Sequence, residues 1–408
     1  MAREALVIGG GAREHALVHG LRPYCDRVWA APGNGGISLE APLVDARKPE
    51  DIIRFFGERR PLVVIGPEAP LADGWADMLR LAGFPVAGPS KEAARLESSK
   101  RFAKEVMAAS GIPTPAARCA HNENELLSWI QAEQRWPKVI KQSGLAQGKG
   151  VSIAGGPEEA RTVVESLTGR AAVWHEGVLF EDYLQGFELS VQVVTNGREY
   201  QWLPVAQDYK RLTPDPKSPN TGGMGAVAPV LVEPALAQAI NQRIFDPLMQ
   251  YLQRHDLDYR GVLYAGLMIS QQGPMVLEFN VRLGDPEAEA IIPIVDVNWY
   301  QFWWDLSQGM VPEVPVSGRS AVAVVMVADG YPVSPRTGMP IQLGERIEST
   351  VIFHAGTVRR GDQFESGGGR VLAVVGIADT TGEARRKAYH RVSTIVFPHS
   401  YYRPDIGQ

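Results

Sequence analysis

Through the first hundred residues, short runs of β-forming apolar residues alternate with segments of helical period. Residues 6–8 read as a strand that breaks at Gly9, Gly10 and Gly11, and a helix follows to about His19. A second run at 28–30 closes in the turn of Pro32, Gly33, Asn34, Gly35 and Gly36. A helix is predicted over 49–56, a strand over 62–65, a helix over 71–82 and a last strand over 84–87. This βαβα rhythm predicts a small parallel sheet with helices on both sides. The loops after its strands, 9–13, 32–36 and 66–71, should converge on one crevice, where open α/β sheets bind ligands.

The texture then changes twice. A helix is predicted over 93–110, stopped by Gly111, Ile112, Pro113, Thr114 and Pro115. A strand over 138–141 enters a glycine-rich loop at 144–150 and leaves through a strand at 151–154, and Pro157 starts another helix. The runs 179–183 and 188–195 are expected to pair. A long irregular stretch, 207–225, precedes a helix over 234–253; loops of this length without internal structure are commonly functional. Strands 261–269 and 274–280 read as a hairpin across 270–273. Beyond Pro315, Val- and Gly-rich strands reach Val375, and an amphipathic helix covers 381–393. The expected organisation is an α/β domain at 1–103, a two-part central domain at 104–318 with a flap-like piece at about 115–190, and a mostly antiparallel α+β domain at 319–408.

Composition narrows the function classes. A chain of 408 residues exceeds one hydrophobic core. A net charge of −5 gives no general attraction to nucleic acid or anionic membranes, so neither is expected as a partner. The two cysteines, Cys25 and Cys119, form neither a disulfide framework nor a zinc pattern, which fits a reducing cytoplasm. The N-terminus enters its first strand without a signal-like apolar core, and no apolar run reaches the roughly 20 residues of a membrane helix. A soluble cytoplasmic protein is expected.

The most informative chemistry lies between Glu278 and Glu287. On a strand, Glu278, Asn280 and Arg282 project to one side. A carboxylate, an amide and a guanidinium make a poor core but a good seat for a hard cation and phosphate oxygens. At the other end, Gly9 to His15 follow a strand and open a helix. A dinucleotide reading fails at Glu14, where a third glycine is needed, and at Pro32, where an acid should follow the second strand. A phosphate site at the helix N-terminus, or a plain structural turn, remains. Lys141 and Lys149 flank the glycine-rich loop, which suits a flap over nucleotide phosphates or a surface hairpin. Asp208, Lys210 and Arg211, with the donor-rich stretch Asn220 to Gly225, could clamp anionic groups and shield an unstable intermediate. Trp299, Trp303 and Trp304 read as core or interface aromatics, and His15, His354 and His390 as packing residues.

Joined together, these pieces resemble the ATP-grasp superfamily, and within it the phosphoribosylamine–glycine ligases. The resemblance covers essentially the whole chain. It rests on Arg13 to Ala16, Ala31 to Asn34, Gly66 to Leu71, Asn220 to Gly225, Glu278 to Glu287 and His354 to Thr357. It implies an ATP- and Mg²⁺-dependent ligation of glycine to 5-phosphoribosylamine through a glycyl phosphate, with Mn²⁺ as a substitute metal, in a monomer or weak homodimer. It puts Lys100, Lys141 and Lys149 on ATP phosphates, Glu181 and Glu188 in the adenosine pocket, and Glu278 and Asn280 on the metal. Arg282, Lys149 and Asn220 are implied in catalysis. The substrates would be met by Gly10, Gly11, Arg13, Asn34, Glu68, Asp208, Lys210, Asn220, Thr221, Gly222 and Arg282. The chain departs from the family pattern at Ala12, at Gln142 and Ser143, at Phe187, at Tyr209 and across 213–218. Those departures leave open a ligase of the same superfamily that uses another acid or amine.

Overall fold

The computed structural model describes residues 2–145, 150–215 and 217–408. Its N-terminal part runs β1 (Glu4–Gly9), α1 (Ala12–Leu21), β2 (Arg27–Pro32), α2 (Pro49–Phe56), β3 (Leu62–Ile65), α3 (Glu68–Ala72), α4 (Trp75–Leu81) and β4 (Val86–Ala87). The strands form a parallel sheet in the order β2-β1-β3-β4. Along β1, Ala5 and Val7 join one apolar cluster while Leu6 and Ile8 join another. Both faces are therefore covered, as a parallel sheet requires. The helix expected over 71–82 is two helices, because Gly74 turns left-handed at φ 83°.

A second correction concerns 93–110. The segment breaks at Ser99 into α5 (Lys91–Ser98) and α6 (Lys100–Ser110). Ser99 is extended, and its hydroxyl accepts the Phe102 N–H, so it caps α6 instead of continuing α5. The flap follows: β5 (Ala117–Ala120), α7 (Glu123–Ala132), β6 (Lys138–Gln142), β7 (Val151–Ala154), α8 (Pro157–Leu167), α9 (Ala171–Glu176) and β8 (Val178–Asp182). Its antiparallel sheet has the order β5-β8-β6-β7.

The central sheet uses β9 (Phe187–Thr195) and β10 (Tyr200–Trp202). The runs at 179–183 and 188–195 do not pair: β8 lies between β5 and β6, whereas β9 lies between β10 and a later strand, β13 (Gly261–Ser270). Gly186 explains the switch. A methyl group there would sit 2.2 Å from the Ile269 carbonyl oxygen, so the chain passes tightly along β13 rather than folding back on β8. Next come β11 (Gln207–Asp208), β12 (Gly225–Ala228), α10 (Pro234–Ile240) and α11 (Asp246–Arg254), the helices joined by a π turn at Asn241–Phe245. That turn accommodates Pro247, which has no N–H to give a regular helix. The hairpin β13 (Gly261–Ser270) and β14 (Gly273–Asn280) completes the central sheet, in the order β10-β9-β13-β14.

The chain closes with α12 (Glu287–Ile291), α13 (Trp299–Ser307), β15 (Ser320–Val327), β16 (Pro340–Ile341), β17 (Thr350–His354), β18 (Thr357–Arg360), β19 (Gln363–Ser366), β20 (Arg370–Ala378) and α14 (Thr381–Ser393). The main C-terminal sheet is β11-β12-β15-β20-β17. Both ends of the irregular 207–225 stretch are thus sewn into that sheet, with Gly225 opposite Val324. Among the described residues no helix is long and apolar enough to cross a membrane.

The N- and C-terminal parts meet at His354. Its N–H donates to His15 Nδ1 at 2.8 Å, its carbonyl accepts from Asn34 Nδ2 at 2.6 Å, and its ring lies against Gly36. Burial, then His15, push its imidazole down from 6.5 to about 3, so the folded ring is neutral. Below pH 6.5 the unfolded chain takes up a proton that the folded chain refuses. This contribution is complete above 6.5 and is lost as pH falls toward 3, at about 1.4 kcal/mol per pH unit. Thermal unfolding midpoints between pH 7.5 and 4.5 should fall more steeply for the native chain than for His354→Gln. Parallel slopes would contradict the assignment.

Candidate active site

At the end of β14 a bulge leaves Leu277 unpaired across the ladder, and its carbonyl accepts Lys141 Nζ at 3.0 Å. The next residue, Glu278, is a carboxylate surrounded by cations. Burial alone would raise its pKa, but Lys210, Lys141, Lys100 and Arg282 outweigh burial and hold it below the ordinary value. Four cations face this one carboxylate, three of them shared with Glu181, Glu188 and Glu97, and such a gathering suits phosphate oxygens with a divalent ion on Glu278. The residues present therefore fit a metal–nucleotide site.

Each cation is fixed by its own contacts. Lys100 opens α6 and donates to the Gly144 carbonyl at 3.3 Å, and burial lowers its pKa. Lys141 lies 2.7 Å from Glu181, which also pairs with Lys104 at 2.9 Å. Glu181 is fully buried beneath these two lysines, and Asp182, on the other face of the strand, pairs with Lys138 at 2.7 Å. Glu188 is half exposed and 3.5 Å from Lys210. Burial opposes the Lys210 charge, yet Tyr264, Glu188, Glu278 and Asp208 hold it protonated. Lys149 lies outside the described residues.

Arg282 stands beyond the end of β14, yet its guanidinium stays beside the strand residue Asn280, with Nη2 3.3 Å from Oδ1. It also donates to Glu97 at 2.8 Å and to the Leu283 carbonyl at 3.1 Å, and Nε lies 3.5 Å from Glu68. Glu97 was not foreseen. Its second oxygen accepts the Val281 N–H at 2.8 Å, so one buried carboxylate fixes both backbone and side chain of the Glu278–Arg282 segment. The available signal was an acid on the apolar face of a helix, next to buried Ala93, Ala94 and Leu96. Gln192 was missed for a similar reason: fully buried on β9, it accepts the Gly284 N–H at 2.9 Å.

The N-terminal turn reaches the same place. Arg13 is buried, with Nε 2.6 Å from Glu14 and Nη1 donating to Leu283 at 3.0 Å. Burial opposes its charge, but Glu14, Asp285 and Glu68 keep it protonated. The Gly11 N–H donates to Glu14 at 2.5 Å, and methyl groups at Gly9 or Gly66 would collide with the Glu14 side chain. Glu14 thus stands where a dinucleotide site needs a glycine, and it fixes the turn itself. A methyl at Gly10 would strike the Gly33 carbonyl. The Asn34 amide donates to Gly10 and His354 and accepts from Gly36 and Ile37, so its side chain shapes the loop.

The 207–225 stretch forms the remaining wall. Thr221 closes on the Lys210 carbonyl through both N–H and hydroxyl, at 2.7 and 2.8 Å. Burial and then Glu287 push the Asp208 carboxyl up. Asn220 is exposed. Gly223 has φ 114°, and a methyl there would lie 2.4 Å from Pro286 and 2.9 Å from Asp208. Gly223→Ala should therefore cost about 1–3 kcal/mol of stability and reduce turnover; an unchanged denaturant midpoint with full activity would refute the wedge.

A parallel N-terminal sheet, a separate small antiparallel sheet and a central antiparallel sheet carrying cations around Glu278 define an ATP-grasp ligase. Family models described as phosphoribosylglycinamide synthetase match in three stretches: the N domain at 3–97, the ATP-grasp (A) domain at 98–288 and the C domain at 321–408. The phosphoribosylamine–glycine ligase of Ralstonia nicotianae is 40% identical over 417 residues, 99% of this chain and 98% of that one. The Caldanaerobacter subterraneus enzyme of that name is 36% identical over 414 residues, 99% of each. A crystal structure of the Thermotoga maritima phosphoribosylamine–glycine ligase superposes with TM-score 0.86 at 35% identity, covering 99% of this chain and all of that one. At 15% identity, a Hydrogenobacter thermophilus biotin carboxylase domain shares the fold alone, with TM-score 0.75. The chain belongs to the phosphoribosylamine–glycine ligase family.

Proposed function

We propose that this chain joins glycine to 5-phosphoribosylamine at the expense of ATP, giving glycinamide ribonucleotide, ADP and phosphate. The observation that carries this reading is the gathering of Lys100, Lys141, Lys210 and Arg282 around Glu278, with Arg282 also beside Asn280. A glycine carboxylate oxygen attacks the γ-phosphorus, the bond to the β-phosphate oxygen breaks, and ADP leaves. The amine nitrogen then attacks the glycyl carbonyl, the C–O bond to phosphorus breaks, phosphate leaves, and the nitrogen gives up a proton. Such transfers depend on in-line placement and charge neutralisation more than on covalent help. Lys100, Lys141 and Lys149 would neutralise the ATP phosphates, and Asp208 and Lys210 would meet the substrates. Glu278 and Asn280 would hold Mg²⁺, or Mn²⁺ in its place, which supplies further neutralisation at the phosphates when bound. Arg13 and Arg282, interleaved with Glu68 and Asp285, offer both charge signs that a carboxylate and a phosphorylated amine require. Gly10, Gly11, Asn34, Thr221 and Gly222 shape the walls, Asn220 meets substrate from the loop, and Glu181 and Glu188 border the nucleotide. We assign this work to domains at 1–103, 104–318 and 319–408, in a cytoplasmic monomer or weak homodimer.

The departures from the family pattern favour the standard substrates, because several serve the fold. The Tyr209 hydroxyl accepts the Gly407 N–H at 3.0 Å and its ring packs under Arg403, inside the C-terminal part. Ser143 is buried and caps α6 by accepting the Arg101 N–H at 3.0 Å. Gln142 faces a cavity beneath α8, shared with Val163 and Ser166. Phe187 is exposed at the start of β9. The test is product mass and ADP release with Mg²⁺–ATP, glycine and freshly generated 5-phosphoribosylamine, omitting each in turn. Glycinamide ribonucleotide formed only in the complete mixture supports the reading, and ATP turnover with a different acid or amine alone would overturn it.

A further inference from the structure

Arg370, the first residue of β20, reaches out of the C-terminal sheet into the wall of the site. Its Nη1 donates to the Gly222 carbonyl at 2.6 Å and the Asp285 carbonyl at 2.8 Å, and lies 3.0 Å from Asp285 Oδ1. From the same side, the Tyr331 hydroxyl accepts the Gly222 N–H at 3.0 Å. Gly222 is therefore held at both its backbone groups by C-terminal residues. Two glycines make the approach possible. A methyl at Gly222 would lie 3.2 Å from the Arg370 guanidinium carbon, and one at Gly369 would lie 2.4 Å from the Tyr331 ring.

The grip extends to the N-terminal turn. A methyl at Gly11 would sit 3.5 Å from Asp285 Oδ2, so the carboxylate held by Arg370 borders the Gly10–Arg13 turn. Arg13 and Arg370 both act electrostatically on Asp285, against its burial. Arg370 also bears electrostatically on Asp208, but among the described residues neither it nor Tyr331 bonds to Lys100, Lys141 or Glu278. The clasp thus ties three separate segments together on the amine side and leaves the ATP side to other residues.

We infer that Arg370 and Tyr331 are positioning residues by which the C-terminal domain sets the 220–224 loop against Asp285 for the amine substrate. This rests on the ligase reading above. A small misplacement of a reacting group can cost about 10²-fold in rate. Arg370→Ala should accordingly lower kcat/KM for 5-phosphoribosylamine about 10²-fold, with KM for ATP changed by less than about twofold. Tyr331→Phe removes a single neutral hydrogen bond and should give the same split at about three- to tenfold. Amide exchange across 220–224 should quicken in both variants. Equal losses for ATP and amine, or unchanged kinetics in Tyr331→Phe, would overturn the inference. If Arg370→Ala does not fold, Tyr331→Phe decides. If the native protein forms no glycinamide ribonucleotide, the ligase reading fails first. Exchange at Gly222 then judges the clasp itself: native-like protection in Tyr331→Phe would overturn it.

Discussion

Glu278→Gln should lower turnover about 10³-fold while the protein melts within a few degrees of the native chain. The side chain keeps its size and its place beside the bulge, so β14 has no reason to shift. What disappears is the single negative charge at the focus of Lys100, Lys141, Lys210 and Arg282. On the proposed reading, Mg²⁺ would lose its anionic oxygen ligand and the phosphates would be held less firmly. The fold tolerates the change because the cations have other partners: Glu181 for Lys141, Glu188 for Lys210 and Glu97 for Arg282. Steady-state turnover over a Mg²⁺ series, read beside a melting curve, checks this. Unchanged turnover would remove Glu278 from the metal site.

Glu97→Ala has the larger effect on stability. Its carboxylate is buried and serves the Val281 N–H and the Arg282 guanidinium together. Arg282 would keep Glu68 at 3.5 Å as a weaker charged partner, so the loss should approach the lower end of the about 3–5 kcal/mol that breaking a buried pair costs. The chain has several domains, so the loss should appear in the unfolding of the central part and not as one cooperative shift. Activity should fall as well, because Arg282 loses its shortest charged contact. Glu97→Gln retains an acceptor without the charge and should fall between. Denaturant curves followed by tryptophan fluorescence, with kcat at each step, test both effects. A variant with native stability would show that Glu97 is not the anchor of Arg282.

Much of this arrangement was legible in the sequence, for identifiable reasons. Strands with both faces buried read as continuous apolar runs, so β1 and β3 were visible. The Glu278–Glu287 string was visible because a polar face on a strand is costly unless it serves a site. Breaks within helices were not visible. Ser99 and Gly74 sit in stretches of good helical period, and only a cap or a left-handed backbone angle reveals the stop. Nor was the separation of β8 from β9, which depends on Gly186 passing the Ile269 carbonyl more than eighty residues later in the chain. The supporting residues Glu97, Gln192 and Arg370 lie far in sequence from what they hold. A buried polar residue announces that it has a partner but does not name it.

The ligase account is tested most directly by oxygen transfer. Glycine labelled with ¹⁸O in its carboxylate is turned over with unlabelled Mg²⁺–ATP and 5-phosphoribosylamine, and the released phosphate is analysed by mass. Passage through a glycyl phosphate predicts one labelled oxygen in the phosphate for each glycinamide ribonucleotide formed. Unlabelled phosphate alongside the same product would contradict it, because the glycine carboxylate would then never have carried the phosphoryl group.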